Sequence, residues 1–329
     1  MTRFSCADGI RQAIDEEMER DPEVFLIGED VGESGGVFGV TKGLFEKYGP
    51  ARLMDTPISE EAVIGAAIGA ALLGGRPIAE IMFGDFVALA MDMLVNQAAK
   101  THFMTGGRLS VPLVVRMVTG TAGATAAQHS QSLESWFVHV PGLKVVAPSS
   151  PEDAKGLLKT AIRDPDPVLF FEHKLLYGGR GGPAGDVVAV DPIPLGVGRV
   201  RREGSDVTIV SYLKTLEFAL QAAVELENEG ISCEVWDPRT LVPLDRQGLR
   251  TSIAKTGRVV ITHEAPVRGG VGAEIAAVVA GEFFELLKAP VLRVGGRNTP
   301  MPYAPELESF VVPGPDRIAE AVRRCVGRD

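Results

Sequence analysis

The sequence predicts an α/β protein built from two parallel-sheet domains. Three observations carry that prediction. Short runs that are apolar throughout, such as VPLVVRMV (Val111 to Val118), alternate with stretches of helical periodicity. The alternation lapses into the Gly/Pro-rich YGGRGGPAGDVVAVDPIPLG, and then begins again. Strands without a polar face need helices on both sides of their sheet, which is the doubly covered parallel arrangement. The expected boundaries are a first domain over 1–180, a linker over 181–202 and a second domain over 203–329. A chain of 329 residues is long enough for two sizeable cores.

Taken in order, Ser5 and Asp8 form a capping-box start, and Ile10, Ile14 and Met18 mark a first helical stripe ending near Asp21–Pro22. VFLIGED (Val24 to Asp30) reads as a buried strand, followed by a glycine-rich loop from Gly32 to Gly39. ARLMD, a helix opening at Glu60, RPIAEIMF, a helix over 85–104 and VPLVVRMV continue the series. The loop TGTAGATAAQHSQS, the strand LKVVAP, a helix over 151–162 and the strand PVLFFEH complete the first half. The second half reads DVTIVSY, a helix over 216–229, SCEVWDP, a helix after Leu244, RVVITHEA, a helix over 272–287, PVLRVG and a closing helix over 318–326.

Hydrophobic residues at 45% and charged ones at 23% are ordinary for a globular chain. The net charge of −10 argues against a general binder of nucleic acid or acidic membranes. Cys6, Cys233 and Cys325 lie far apart, which suggests neither a disulfide framework nor a zinc site and fits a reduced cytoplasmic setting. The opening MTRFSCADGI has no apolar signal-peptide core. GVGR (Gly196 to Arg199) and RGGVGAE (Arg268 to Glu274) do not make a dinucleotide fingerprint, and neither a phosphate-binding P-loop nor a nucleophile elbow occurs.

The stretch DTPISEEAVIGAAIGAALLGG (Asp55 to Gly75) is the most telling. Ser59 is placed to cap a helix, Glu60 falls in its first turn, and the uncharged run from Ala62 to Gly75 predicts a fully buried helix with a carboxylate at its mouth. It is too short to span a bilayer, which needs about 20 apolar residues. Locally, Glu60 is either a water-exposed capping acid or a desolvated acid poised to pass a proton. His129 follows a buried strand, where parallel sheets place their chemistry, though a loop histidine is as often structural or exposed. Phe86, after IMFGD, is by its local sequence a core residue, and a stacking platform only where a cofactor is bound.

Glu60 with Gly65, Ala66, Gly69 and Ala70 resembles a signature of thiamine diphosphate enzymes. Together with MFGDF, AAQHSQS, GLKVVAPSSPEDAKGLL, FFEHKLLYG, DPRTLVPLD, KTGRVVITHEA and RNTPMPYAPELES, the chain resembles the beta subunit of the thiamine-dependent first component of 2-oxo acid dehydrogenase complexes over nearly its whole length. GVFGVTKGL, MFGDF, HSQSL and REGSDVTIV are most similar to the acetoin dehydrogenase branch, while pyruvate and branched-chain members share much of the rest.

The resemblance implies a pyrimidine-binding domain followed by a transketolase C-terminal-like domain. It implies that Glu60 hydrogen-bonds the pyrimidine ring of thiamine diphosphate and promotes loss of the thiazolium proton. Ile58 and Phe86 match positions that pack against the pyrimidine, and Glu29 holds the acidic GED position beside it. His129 matches the histidine that serves acyl transfer to a lipoyl group. Leu113, Ala161, Asp164 and Asp166 match a structural potassium site, with Asp166 standing where Asn is common. The chain has GDF at Gly84 and no GDG, so the resemblance implies that an alpha subunit holds Mg²⁺ and the diphosphate. The implied assembly is a heterotetramer of two alpha and two beta chains that docks on a lipoyl acyltransferase core. Tyr212–Leu213–Lys214 departs from the glycine-containing turn of relatives, and WDP replaces a common IDL. The alternatives are a non-catalytic assembly subunit that braces an alpha chain, and a transketolase-like synthase subunit.

Overall fold

The structure, a computed structural model, describes residues 4–178 and 188–327. Its chain divides into two compact units, one running to Thr119 and resuming over Trp136–Leu195, the other made of Gly120–Ser135 and the chain from Gly196 onward. Of the expected linker over 181–202, residues 181–187 lie outside the described residues, and the first unit includes residues 188–195.

In the first unit six parallel strands stand in the order β5-β6-β4-β3-β1-β2. They are β1 (Val24–Gly28), β2 (Leu53–Asp55), β3 (Arg76–Ile81), β4 (Val114–Thr119), β5 (Lys144–Val146) and β6 (Val168–His173). Every residue of β4 and β6 is buried, as their uninterrupted apolar runs predict. Helix α1 (Cys6–Arg20) opens with the expected capping box: the Ser5 hydroxyl accepts the N–H of Asp8, and the Asp8 carboxylate accepts the N–H of Ser5. Its Ile10, Ile14 and Met18 enter one core with Leu157, Leu158 and Ile162 of α6 (Pro151–Arg163). Helices α2 (Leu44–Tyr48), α3 (Glu60–Leu72), α4 (Ala99–Met104) and α5 (Glu134–Val138) lie between strands in the chain.

Two expectations need correction here. The helix expected over 85–104 is instead a 3₁₀ segment (Gly84–Ala90), a π segment (Met93–Ala98) and then α4. Gly84 sits at its irregular start, where a Cβ would stand a tight 3.1 Å from the Val118 carbonyl and β4 would have to give by a few tenths of an ångström. The helix expected to be fully buried, α3, buries Val63, Ile64, Ala67, Ile68 and Ala71 but leaves Ala62, Ala66, Gly69 and Leu72 exposed. Its side chains are small and apolar all round, so sequence alone could not say which neighbour covers each face.

In the second unit the sheet order is β12-β11-β8-β9-β7. The strands are β7 (Arg199–Arg202), β8 (Val207–Ser211), β9 (Cys233–Asp237), β11 (Val259–Pro266) and β12 (Leu292–Gly296), with a short β10 (Thr240–Val242) in the same stretch of chain. All pairings are parallel except β7 with β9. Helices α7 (Lys214–Glu227), α8 (Arg246–Thr256), α9 (Val271–Glu282), α10 (Pro305–Val311) and α11 (Pro315–Val326) complete it. Leu216, Ala223 and Leu226 of α7 meet Ile318 and Val322 of α11 in its core. Leu213 takes φ 53°, the half of backbone space that glycine enters freely, so the turn Tyr212–Leu213–Lys214 carries local strain. No described helix is long and apolar enough to cross a membrane.

Candidate active site and family membership

The carboxyl ends of β1, β2 and β3 gather the first group of candidate residues. Strands β1 and β2 pair in register, Gly28 opposite Asp55. Glu29 leaves β1 directly, while the turn after β2 brings Ile58 and then Glu60 at the first residue of α3. The two acids are close enough for their charges to interact. Burial lifts the Glu29 carboxyl above its ordinary pKa, and the charges of Asp30 and Glu60 lift it further.

Glu60 stands at the rim of a groove of about 740 Å³ lined by Ile58, Ser59, Ala62, Gly65, Leu89 and Met93, among others. The groove is mostly apolar, and Ile58 is 74% exposed in it. Gly65 gives the wall its depth, because a Cβ there would already touch the Met93 sulfur at 3.4 Å. Ser59 does not act as the expected cap: its hydroxyl donates to the Pro57 carbonyl at 3.1 Å and makes no side-chain bond to the helix N-terminus. The first-turn N–H groups of α3 are thus left without that cap, beside an acid and an apolar wall. This is a donor set suited to a flat heterocycle with hydrogen-bonding nitrogens.

Phe86 is half-buried in the 3₁₀ segment and packs edge-on against Phe83, ring centroids 6.3 Å apart. It is absent from the groove wall, where Leu89 and Met93 stand instead. Those two residues escaped the sequence reading, because the π turn that aims Met93 follows from packing and has no composition of its own. Beneath the site, Arg116 on β4 is held by Glu172 on β6 through two bonds of 2.7 Å and by Glu80 on β3, and Tyr177 donates to Glu172. All four side chains are buried. Burial raises the pKa of Glu80 despite the guanidinium beside it.

The residues matched to a cation site are each engaged within the chain. The Leu113 carbonyl accepts the N–H of Val168 at 2.9 Å, and the Ala161 carbonyl accepts that of Asp164 at 3.2 Å. Lys144 Nζ lies 2.6 and 2.8 Å from the Asp164 carboxylate and 3.0 Å from Asp166. Burial works against the Lys144 ammonium, but these hydrogen bonds outweigh it and hold its pKa above the ordinary value. With the acids balanced by lysine, the spare lone pairs of neutral carbonyls are what an ion would meet, which suits a monovalent rather than a divalent cation. Among the described residues no cluster of three or more His, Cys, Asp or Glu could hold a metal.

His129 belongs to the second unit, in the loop between β4 and α5, and its ring is half-buried. The loop is pinned within that unit. Glu264 accepts the Thr121 N–H at 2.6 Å, and the Glu308 carboxylate accepts the N–H groups of Gly123 and Ala124 at 3.1 and 3.0 Å. Tyr212 donates to Glu134 at 2.7 Å just beyond the loop, and stacks on the buried His263. Burial depresses the His263 pKa to about 4, so that ring is neutral at ordinary pH. Glu308 lies in the motif RNTPMPYAPELES, yet nothing in its spacing links it to a loop so far away in the chain.

Comparisons with known proteins follow this division. The transketolase pyrimidine-binding domain matches residues 3–180, and the transketolase C-terminal domain matches residues 196–318. The chain is 48% identical to the mitochondrial pyruvate dehydrogenase E1 component subunit beta-2 of Oryza sativa subsp. japonica, covering 99% of this chain and 87% of that protein. It is 46% identical to the 2-oxoisovalerate dehydrogenase subunit beta of Bacillus subtilis, covering 98% of both. It is 47% identical to the pyruvate dehydrogenase E1 component subunit beta of Rickettsia conorii, again covering 98% of both. Among solved structures, a split-gene transketolase in the form of an inactive beta4 tetramer superposes with a TM-score of 0.81 at 25% identity, covering 98% of this chain and 99% of that one. With two transketolase domain matches and such identity over nearly its full length, the chain belongs to the beta subunits of the first component of 2-oxo acid dehydrogenase complexes.

Proposed function

We propose that this chain is the acid-bearing half of a thiamine diphosphate-dependent 2-oxo acid dehydrogenase, acting with an alpha subunit on pyruvate or a branched 2-oxo acid. The observation that carries the reading is Glu60 on the first turn of α3, beside Glu29 and at the rim of an apolar groove. In this reading residues 1–180 form the pyrimidine-binding domain, 203–329 the C-terminal domain and 181–202 the connection between them. The alpha subunit holds Mg²⁺ and the diphosphate, since this chain has no GDG sequence. The assembly is a heterotetramer serving a lipoyl acyltransferase core in a reduced cytoplasmic setting, which suits three buried cysteines that form no disulfide.

Bound thiamine diphosphate supplies a carbon nucleophile and an electron sink for breaking the bond to the departing carboxylate carbon. The Glu60 carboxylate would hydrogen-bond a pyrimidine nitrogen of the bound cofactor and hold the proton that promotes its activation. Ile58, exposed in the groove, would orient the pyrimidine by packing, whereas Phe86, matched to the same role, stands outside the groove wall against Phe83. Glu29 lies beside Glu60, its pKa raised first by burial and then by the charges of Asp30 and Glu60. His129 holds or releases a proton as the acyl group passes to the lipoyl sulfur. Leu113 and Ala161 would offer carbonyl oxygens to a potassium ion, while the Asp164 and Asp166 carboxylates, its other matched positions, are paired with Lys144.

Reconstitution with an alpha chain carrying GDG, assayed on pyruvate, branched 2-oxo acids and acetoin, tests the reading. Turnover of a 2-oxo acid with lipoyl as acceptor is expected, and turnover of acetoin alone would move the chain to that branch. A subunit that only braces its partner would leave turnover unchanged when Glu60 is replaced by glutamine.

A further inference from the structure

The loop that carries His129 has a backbone that alanine does not adopt freely. Gly123, Ala124 and Ala126 all have positive φ, at 76°, 64° and 59°. Glycine accepts such angles, whereas alanine meets its own Cβ clashing with backbone, so two of these three positions need something outside the loop to hold them. Within the loop, Gly120 N–H donates to the Gln131 carbonyl at 3.2 Å, and the Thr125 and Ser130 hydroxyls pair at 2.7 Å. These contacts close the neck but leave the tip to other groups.

Glu308 meets the tip. One carboxylate oxygen accepts the Gly123 N–H and the other the Ala124 N–H. Two successive N–H groups aimed at one anion form a small concave nest, and the positive φ values are what turn them the same way. Glu308 is buried, only 8% exposed, so water competes poorly for those donors. Glu264, at the same degree of burial, takes the Thr121 N–H two residues earlier in the loop. Glu308 sits in α10, whose Pro305 start fixes its first turn, so a rigid element presents the carboxylate.

We infer that Glu308 is a positioning residue for acyl transfer: its carboxylate, docked on the Gly123 and Ala124 N–H groups, sets the strained conformation of the loop and thereby the place of the His129 imidazole. This rests on the reading of His129 given above. It adds a residue 184 positions away in sequence that touches no reacting group and acts only through the loop.

The test uses the reconstituted alpha–beta enzyme with E308A, E308Q and H129A. Two rates are compared: acylation of a lipoyl domain, and decarboxylation with ferricyanide as electron acceptor, which bypasses lipoyl. E308A is expected to slow lipoyl acylation roughly tenfold to hundredfold, the scale of an ångström-level misplacement, while the ferricyanide rate holds. E308Q, with one acceptor oxygen left, recovers part of the loss. Amide hydrogen exchange over residues 121–126 accelerates in E308A, and E308A adds nothing further in an H129A background.

If both rates fall equally, Glu308 is a general stabiliser and the inference is overturned. If H129A abolishes lipoyl acylation while E308A leaves that rate and the loop exchange at wild-type values, the positioning inference fails alone. If H129A has no effect while E308A loosens the loop, the His129 reading fails and the anchoring of the loop survives. Should E308A not assemble, E308Q decides on the same two rates.

Discussion

Helices α3 and α6 have the same length, 13 residues each, lie in the same unit and follow a serine with acids in the first turn. There the likeness ends. Ser150 caps α6 by accepting the Asp153 N–H at 3.2 Å, and Pro151 stands where its missing N–H costs nothing. Its apolar side is wholly buried, and its polar side is tied to α1 through Lys155 and Lys159 on Glu16 and through Arg163 on Glu17. On α3 the serine turns away, the acids face a groove, and one side of small apolar residues stays open. One helix is complete within the chain. The other has the form of an element whose remaining neighbours belong to another molecule, and such a feature survives where assembly and chemistry need it.

The contrast can be broken experimentally, most severely at Glu60. E60Q is expected to lower turnover of the reconstituted enzyme by roughly 10²- to 10⁴-fold, the usual worth of a positioned proton-transfer group, with an unchanged thermal midpoint. Persistence of cofactor proton exchange in that variant, followed by NMR, would show that the acid does not serve the pyrimidine.

G69L addresses the open side. Nothing lies within 4 Å of a Cβ at Gly69, so the isolated chain should keep its stability within about 0.5 kcal/mol. Assembly with alpha should weaken by about 1–3 kcal/mol through overpacking, read by sedimentation, and unimpaired assembly would mean that this face is not an interface. A smaller effect separates the two serines. S150A should cost about 1 kcal/mol in urea unfolding, and S59A almost nothing, because only Ser150 caps a helix. Equal losses would dissolve the comparison.

The smallest effect is a titration. Because the Glu29 charge is disfavoured in the fold, this residue favours the folded state below its unfolded pKa and loses that advantage as pH rises through its higher folded value. E60Q removes one of the two like charges, so the carboxyl-carbon titration of Glu29 should move down while staying above ordinary, since burial is the larger cause. No movement would place Glu60 too far away to matter.

Local chemistry was legible in the sequence, and neighbours were not. The Ser5–Asp8 capping box and the strands from VFLIG to PVLFFEH were readable because each is specified within a few residues. The grouping of Glu29, Ile58 and Glu60 came from the family resemblance, not from local sequence. The exposed side of α3 was not legible, because an alanine- and glycine-rich helix looks alike from every direction. The π turn that aims Met93, and the carboxylates of Glu264 and Glu308 on the His129 loop, depend on residues distant in sequence. Residues 84–104 misled for a related reason: their 3₁₀ and π segments have no signature in composition or periodicity.

The Arg116 cluster has a consequence for how the first sheet comes together. Arg116 stands directly opposite Glu80 across the β3–β4 pair, and Glu172 follows one pleat along on β6. A slide of either neighbour by a single position would turn its acid to the opposite side of the sheet and strand a guanidinium in hydrocarbon. Breaking such a buried pair costs about 3–5 kcal/mol, so three otherwise interchangeable Val/Leu/Ile ribbons have only one alignment worth keeping. The greasy strands supply adhesion, and one ionic key decides where they stop.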